Sequence, residues 1–118
     1  MSGDIAIHFN RAEFACKCGC GFDTVDVDLI EYLEEVRLQF YAPVTILSGC
    51  RCEKHNKDVG GAANSQHTKG RAADFVVEGV SPWDVQEFCE DELEVRALGR
   101  YDTFTHIDSR RGYARWEG

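Results

Sequence analysis

The stretch SQHTKGRAADFVV, residues 65–77, decides the fold of this chain because it joins a turn to an apolar strand. Gly70 marks the turn, since glycine adopts backbone conformations that other residues avoid. The run AADFVV is largely apolar and ends in two β-branched residues, so we predict a strand over residues 72–77. His67 and Asp74 are too far apart for adjacent turns of one helix, but a turn at Gly70 would bring them together.

Apolar spacing upstream of this stretch predicts two helices and a second strand. Residues 24–40 place leucine, valine and phenylalanine side chains at offsets of 4, 3 and 4, which is typical of an amphipathic helix. Residues 44–49 form a β-branched, mostly apolar run and are expected to be a buried strand. Residues 52–61 are expected to form a short polar helix that two glycines close.

A further helix is predicted over residues 81–93. Ser81 suits the N-cap and Pro82 the first helical position, where its missing N–H costs nothing. Three large apolar residues of this segment are expected to face inward: Trp83, Phe88 and Leu93.

The C-terminal residues are expected to form a β-hairpin. Residues 103–108 alternate like a strand, and residues 112–116 are predicted to pair with them after the RRG turn. Together these elements predict an α+β fold, in which helices pack on a small antiparallel sheet.

Composition narrows the class of protein. The chain has 118 residues, which fits a single domain spanning residues 1–118. Its net charge of −8 argues against nucleic-acid binding, which needs a basic face. No apolar run approaches the roughly 20 residues that span a bilayer, so membrane insertion is not expected. The N-terminal residues 1–14 do not resemble a secretory signal, so we expect synthesis in the cytoplasm, and we expect a monomer.

Three side chains qualify as ligands of a catalytic metal ion. A catalytic zinc site uses three imidazole or carboxylate ligands and keeps a fourth position open for water. His67, Asp74 and His106 would form such a set if the strand at residues 72–77 lies beside the strand at residues 103–108. On spacing alone, a surface histidine and a capping aspartate explain the same residues.

A longer pattern resembles the zinc peptidases of the D-Ala-D-Ala carboxypeptidase family, the M15 peptidases. The pattern SxHxxGxAxD, followed near the C-terminus by HxD, carries the resemblance. The segment LSGCRCEKHN, which contains Arg51, resembles the SGYR segment of this family, and GGAANSQH extends the match up to His67. The opening FNRAEFACKCGCG resembles small phage and prophage members, so the likeness covers nearly the whole chain. The matching positions are Ser65, His67, Gly70, Ala72, Asp74, His106 and Asp108.

The resemblance implies a fold like that of D-Ala-D-Ala peptidases and the hedgehog signalling domain. It implies one catalytic Zn²⁺ held by His67, Asp74 and His106. It implies that Arg51 holds a substrate carboxylate or polarises the scissile carbonyl, because a guanidinium matches either group. Ser65 and Gln66 are plausible substrate hydrogen-bonding residues, although Ser65 suits a loop cap equally well.

The substrate implied by the resemblance is the peptidoglycan stem peptide. The expected reaction is hydrolysis of a peptide bond, by a D,D-carboxypeptidase or by an endopeptidase. The expected setting is endolysin-like cell-wall degradation, in which a phage or prophage enzyme acts on the wall after release. The alternative is a module of the same fold that binds zinc and the cell wall, or another partner, without catalysis.

The general base is the point at which the chain departs from the family pattern. Many relatives carry a base two or three residues before the last ligand, and here those positions are Phe104 and Thr103. The candidates are Asp108, which we prefer, and Asp102. Two rival roles stay open: Asp108 orients a histidine, or Asp108 is the ligand and His106 the acid–base group.

Three cysteines alternate with lysine and glycine in CKCGC, residues 16–20. This spacing lacks the two-residue gap of common zinc knuckles, so we expect Cys16, Cys18 and Cys20 to be scaffold. We expect them to pack against Cys50 and Cys52, as thiols or as disulfides. A separate cysteine-rich metal site is the alternative.

Overall fold

The computed structural model describes residues 3–118 and has an α+β architecture, which confirms the predicted class. Met1 and the residue after it, part of the segment judged not to be a signal, lie outside this range. Three α-helices and five strands follow one another as α1 Val27–Phe40, β1 Val44–Ser48, α2 Glu53–Asp58, β2 Ala72–Val77, α3 Pro82–Asp91, β3 Ala97–Arg100, β4 Thr105–Asp108 and β5 Ala114–Glu117. Short 3₁₀ turns occupy Arg11–Phe14 and Gln66–Lys69. Within the described part, every helix is too short or too polar to cross a membrane.

The helices lie where local signals predict them. Helix α1 buries Leu29, Leu33 and Val36 along one face. The Ser81 hydroxyl accepts a hydrogen bond from the backbone N–H of Asp84, which caps α3 as expected.

The inward position predicted for Trp83 is wrong, because this side chain is 63% exposed. Val85 and Cys89, one helical turn apart, are buried in α3, and Phe88 and Leu93 pack against the core as predicted. Trp83 lies off this buried face of α3, and its ring contacts the guanidinium of Arg100 at 5.8 Å.

The predicted C-terminal hairpin is also wrong. The sheet has the order β1-β2-β4-β3-β5, in which β5 pairs in parallel with β3 and every other pair is antiparallel. Strand β3, a four-residue segment that the sequence analysis did not predict, occupies one edge of β4 while β2 occupies the other. Because both edges of β4 are filled, β5 does not pair with it and lies instead along the outer edge of β3.

The two faces of the sheet carry different chemistry. Alternate side chains on one face, including Phe75, Leu98 and Ile107, are fully buried in the core with residues of α1 and α3. On the other face, one register row crosses all five strands. That row is Ser48, Asp74, His106, Gly99 and Trp116.

Candidate metal centre

The turn at Gly70 places His67 over the polar face of the sheet. The Ser65 hydroxyl accepts from the backbone N–H of His67 at 3.2 Å and caps the 3₁₀ turn that carries this histidine. Gly70 then adopts a left-handed conformation with φ of 70°, which confirms the predicted turn. A Cβ at Gly70 would lie 2.5 Å from the carbonyl oxygen of Thr24, so glycine is required sterically as well.

Three of the proposed ligand side chains converge on one point. Asp74 and His106 are direct cross-strand partners on β2 and β4. His106 Nδ1 lies 2.8 Å and His67 Nε2 lies 3.3 Å from the same carboxylate oxygen, Oδ1 of Asp74. The candidate ligand atoms lie within 4.8 Å of one another, which is compatible with a single metal ion.

The outer nitrogen of each imidazole has a hydrogen-bond acceptor. His67 Nδ1 lies 2.6 Å from the carbonyl oxygen of Gly49, and His106 Nε2 lies 2.8 Å from Oδ2 of Asp108. When the imidazoles are neutral, these nitrogens carry the protons, because both of their partners are acceptors. The lone pairs of His67 Nε2 and His106 Nδ1 then point at the carboxylate of Asp74.

Three electron-pair donors that face one another at these distances are stabilised by a positive charge, which a metal ion or a proton on an imidazole can supply. Two neutral imidazoles and one carboxylate are the donor types of a catalytic zinc site. Histidine ligands whose second nitrogen donates to a carboxylate or carbonyl are the usual arrangement around zinc. His67, Asp74 and His106 therefore fit a zinc ion.

The electrostatics of the metal-free chain show the same demand for positive charge. Burial alone would raise the pKa of Asp74, but hydrogen bonds from His106 and His67 outweigh it and hold the pKa well below its usual range. Burial alone would lower the pKa of His106, but its hydrogen bonds to Asp108 and Asp74 raise the pKa above the usual value. Without a metal ion, a proton on His106 supplies the positive charge that a bound metal ion would otherwise provide.

Arg51 directs its guanidinium at this cluster. Its Nη2 atom lies 3.5 Å from Oδ2 of Asp74. Nε donates to the hydroxyl of Ser48 and Nη1 to the side-chain oxygen of Asn56, both at 3.1 Å. Because the latter two partners are neutral, they fix the orientation of the guanidinium and leave its charge largely available to a bound anion.

Asp108 is fully buried and both of its oxygens are occupied. Oδ1 accepts from Nε of Arg110 and Oδ2 accepts from Nη2 of Arg110, each at 2.8 Å, in addition to the contact with His106. Burial alone would raise the pKa of Asp108, but Arg110 and His106 hold it well below its usual range. This geometry suits the orienting role, in which a carboxylate fixes the ring of a metal-binding histidine.

Other proposed site residues lie around or away from the cluster. Asp102 is exposed in the turn before β4 and lines a separate pocket of about 270 Å³ with Trp83 and Gln86. The Ser65 hydroxyl is engaged in the cap described above. The buried side-chain oxygen of Gln66 has no hydrogen-bond partner among the described residues.

Several supporting residues were missed by the sequence analysis. Arg110 follows Asp108 by two residues, a spacing that a search for charge partners would have found. Gly49 acts through its backbone carbonyl, for which no side-chain signal exists. Trp116 lies 4.9 Å from the ring of His106 because Gly99 leaves room for the indole, and this depends on the unpredicted pairing of β3 with β5.

Comparisons with known proteins assign the chain to a family. A search of curated proteins finds no match. A family profile described as peptidase M15 matches residues 7–108, which include the whole cluster at His67, Asp74 and His106. The match covers most of the 118 residues and agrees with the resemblance seen in the sequence. The chain therefore belongs to the peptidase M15 family.

Proposed function

We propose that this protein is a zinc-dependent metallopeptidase that hydrolyses peptide bonds of peptidoglycan stem peptides. The observation that carries the proposal is the convergence of two imidazole lone pairs and one carboxylate on a point that Arg51 also faces. A bound zinc ion would supply Lewis acidity and lower the pKa of a bound water toward neutrality.

The side chains around the ion have separate tasks in this proposal. His67, Asp74 and His106 hold the ion. Arg51 uses three of its five donors in contacts with Ser48, Asn56 and Asp74, so two remain for a substrate carboxylate or for a developing oxyanion. Gln66 receives no substrate contact in this proposal, because its side-chain oxygen is buried. We assign Asp108 the positioning of His106 rather than proton transfer, because no face of its carboxylate is accessible.

The substrate assignment rests on the family. Stem peptides end in a carboxylate, which suits the two available donors of Arg51, and a D,D-carboxypeptidase would use them in this way. An endopeptidase would instead direct the same donors at the carbonyl of an internal bond. We propose action on the cell wall after release of a monomeric protein, as for phage endolysins.

The decisive experiment is product analysis on purified sacculi. The protein, loaded with zinc, is incubated with sacculi, and the soluble products are identified by mass spectrometry. Release of D-alanine identifies a D,D-carboxypeptidase, whereas new amino termini inside the stem or crosslink identify an endopeptidase. A chelated sample and the His67→Ala variant are the controls, and both are expected to give no products.

A non-catalytic, zinc-binding module is the second candidate. The burial of Asp108 favours it, since the preferred general base has no access to water. A protein that carries stoichiometric zinc yet releases no product from any cell-wall preparation would refute the enzyme proposal. Sedimentation with sacculi would then test wall binding directly.

A further inference from the structure

Four cysteine side chains outside the histidine cluster converge on one point. Their sulfur atoms, from Cys16, Cys18, Cys20 and Cys52, lie within 4.8 Å of one another. The Sγ–Sγ distances are 3.4 Å from Cys16 to Cys18, 3.6 Å from Cys18 to Cys52 and 3.9 Å from Cys16 to Cys52. We call this group the cysteine cluster.

The N-terminal loop is shaped to bring its three cysteines together. The backbone N–H of Cys16 donates to the carbonyl of Phe22 at 2.8 Å, which closes the loop. Gly19 and Gly21 have φ values of 81° and 91°, and these left-handed turns let the alternating cysteines point toward one side. Cys52 approaches from the other side, directly after Arg51 and at the N-cap of α2.

The spacing of the sulfur atoms matches a single tetrahedral ion. Four thiolates at about 2.3 Å from a zinc ion are separated from one another by about 3.8 Å. A disulfide needs about 2.05 Å between two sulfurs, and all six cysteines are free thiols in this structure. Three sulfurs at nearly equal distances favour one shared ligand over any one pair. So compact a set also encloses one ion rather than an iron–sulfur cluster, whose thiolates must surround several atoms.

Backbone hydrogen bonds to sulfur support the same interpretation. The backbone N–H of Cys52 donates to Sγ of Cys16, and that of His55 donates to Sγ of Cys52, both at 3.4 Å. Such donors stabilise the thiolate form that binds metal, and they orient the ligand as second-shell groups do in metal sites.

We propose that Cys16, Cys18, Cys20 and Cys52 bind a structural zinc ion, in addition to the ion held by His67, Asp74 and His106. Four thiolates complete the tetrahedron and leave no position for water, as in closed structural sites. The remaining cysteines are separate from this site. Cys50 directs its thiol at the carbonyls of Phe14 and Phe22, at 3.1 and 2.9 Å, and Cys89 is buried in the core.

The proposed zinc ion would join the N-terminal loop to the segment that supports the histidine cluster. Residues 49–52 carry the Gly49 carbonyl that orients His67, the guanidinium of Arg51 and the ligand Cys52. A metal ion at Cys52 would therefore hold two contacts of the catalytic site in place from outside it.

Metal content per chain tests the proposal without reference to activity. The whole protein, purified with zinc and without chelator, is expected to contain two zinc ions per chain. Cys18→Ser and Cys20→Ser are expected to contain one zinc ion, because each removes a thiolate ligand. Both side chains are exposed, so their replacement leaves the core intact. Cys89→Ala, a cysteine outside the cluster, and His8→Ala are the controls and are expected to retain two.

Cobalt substitution identifies the ligands of the second ion. Co²⁺ added to the His67→Ala variant is expected to give the near-ultraviolet thiolate-to-metal charge-transfer band and the intense visible bands of a tetrahedral site. The same addition to the His67→Ala/Cys18→Ser double variant is expected to lose most of that intensity. Charge transfer that is absent from His67→Ala, or unchanged in the double variant, would overturn the proposal.

Thiol counting separates the metal site from disulfides. After chelation and denaturation without reductant, six cysteines per chain are expected to react with an alkylating reagent. A count of four or two shows disulfides in place of the metal site and overturns the proposal, as does iron in place of zinc by elemental analysis. None of these measurements depends on hydrolysis. The structural zinc site can therefore be refuted while the peptidase function stands, and the peptidase function can be refuted while the structural zinc site stands.

Discussion

The histidine cluster and the cysteine cluster are built from different kinds of structure. Asp74 and His106 lie on β2 and β4, where strand pairing sets the distance between them, and the Gly49 carbonyl and Asp108 orient the imidazoles. The cysteine cluster joins an irregular loop to the residue before α2, and two of its four side chains are exposed. The sheet therefore positions the histidine cluster, whereas the cysteine cluster lies outside the sheet.

This difference leads us to expect different coordination and different dependence on metal at the two clusters. Three ligands with an adjacent arginine would leave an open position for reaction, whereas four thiolates would enclose the ion. Since hydrogen bonds already orient the histidine cluster, we expect it to persist without metal. The loop at residues 16–22 lies outside the sheet and two of its cysteines are exposed, so we expect chelation to loosen this loop first, which hydrogen exchange would detect.

The largest expected effect is the separation of the two clusters by His67→Ala. This change removes one of three ligands, so hydrolysis is expected to fall to background and the catalytic ion to be lost. The cysteine cluster is expected to keep its zinc, because no ligand there changes. Elemental analysis and product release measure both effects, and retention of two zinc ions would remove His67 from the ligand set.

Next in size is the effect of Arg51→Ala on turnover. Loss of an oxyanion donor is expected to lower kcat by about 10²–10³-fold. Both zinc ions are expected to remain, since Arg51 contacts Asp74 only at 3.5 Å and contributes no ligand. Arg51→Lys is the matched variant that keeps the charge without the planar fork, and we expect partial recovery. Unchanged kcat and unchanged KM in Arg51→Ala would together exclude the substrate role.

A smaller effect is expected for Asp108→Asn. Replacement of a carboxylate that orients a metal-bound histidine is expected to weaken zinc binding at the histidine cluster by about 10–100-fold. Excess zinc should then restore most of the activity, with the pH profile unchanged. If activity stays absent at full occupancy, Asp108 transfers protons and the positioning role is wrong.

The smallest expected effect is a difference between the chelated and the zinc-loaded protein in how stability changes with pH. In the metal-free chain the pKa of His106 is raised above 6.5, so the folded state binds more protons than the unfolded state near neutrality. Stability of the chelated protein is therefore expected to fall as pH rises through the raised pKa, by at most about 1.4 kcal/mol per pH unit.

The zinc-loaded protein should show the opposite trend, since zinc binding displaces that proton and is favoured as pH rises. Thermal unfolding at pH 6.5 and pH 8, with and without chelator, measures both slopes. His106→Gln is expected to flatten the slope of the chelated protein. A slope unaffected by that change would assign the pH dependence to another group.

The sequence predicted that His67, Asp74 and His106 come together for two reasons. A local turn signal lies between His67 and Asp74, and all three residues match a family pattern. Gly70 indicates its own turn, and β2 spans the predicted residues 72–77. Helices α1 and α3 were also predicted from local signals, since apolar spacing and capping residues act within a few positions. The N-terminal cysteine loop packs against Cys50 and Cys52 as expected, but the thiol of Cys50 contacts backbone carbonyls at Phe14 and Phe22 and not the other sulfurs.

Long-range pairing was decided by the tertiary structure alone. Strand β3 is four residues long and has no turn signal that distinguishes it, yet its insertion beside β4 makes β5 a parallel edge strand. That pairing brings Trp116 against His106, and the burial of Asp108 against Arg110 suits a positioning role. The sequence by itself determined which residue types are present and how the segments with clear local signals fold. The tertiary structure decided which residues meet, because distant strands compete for the same sheet edges and this competition sets the register.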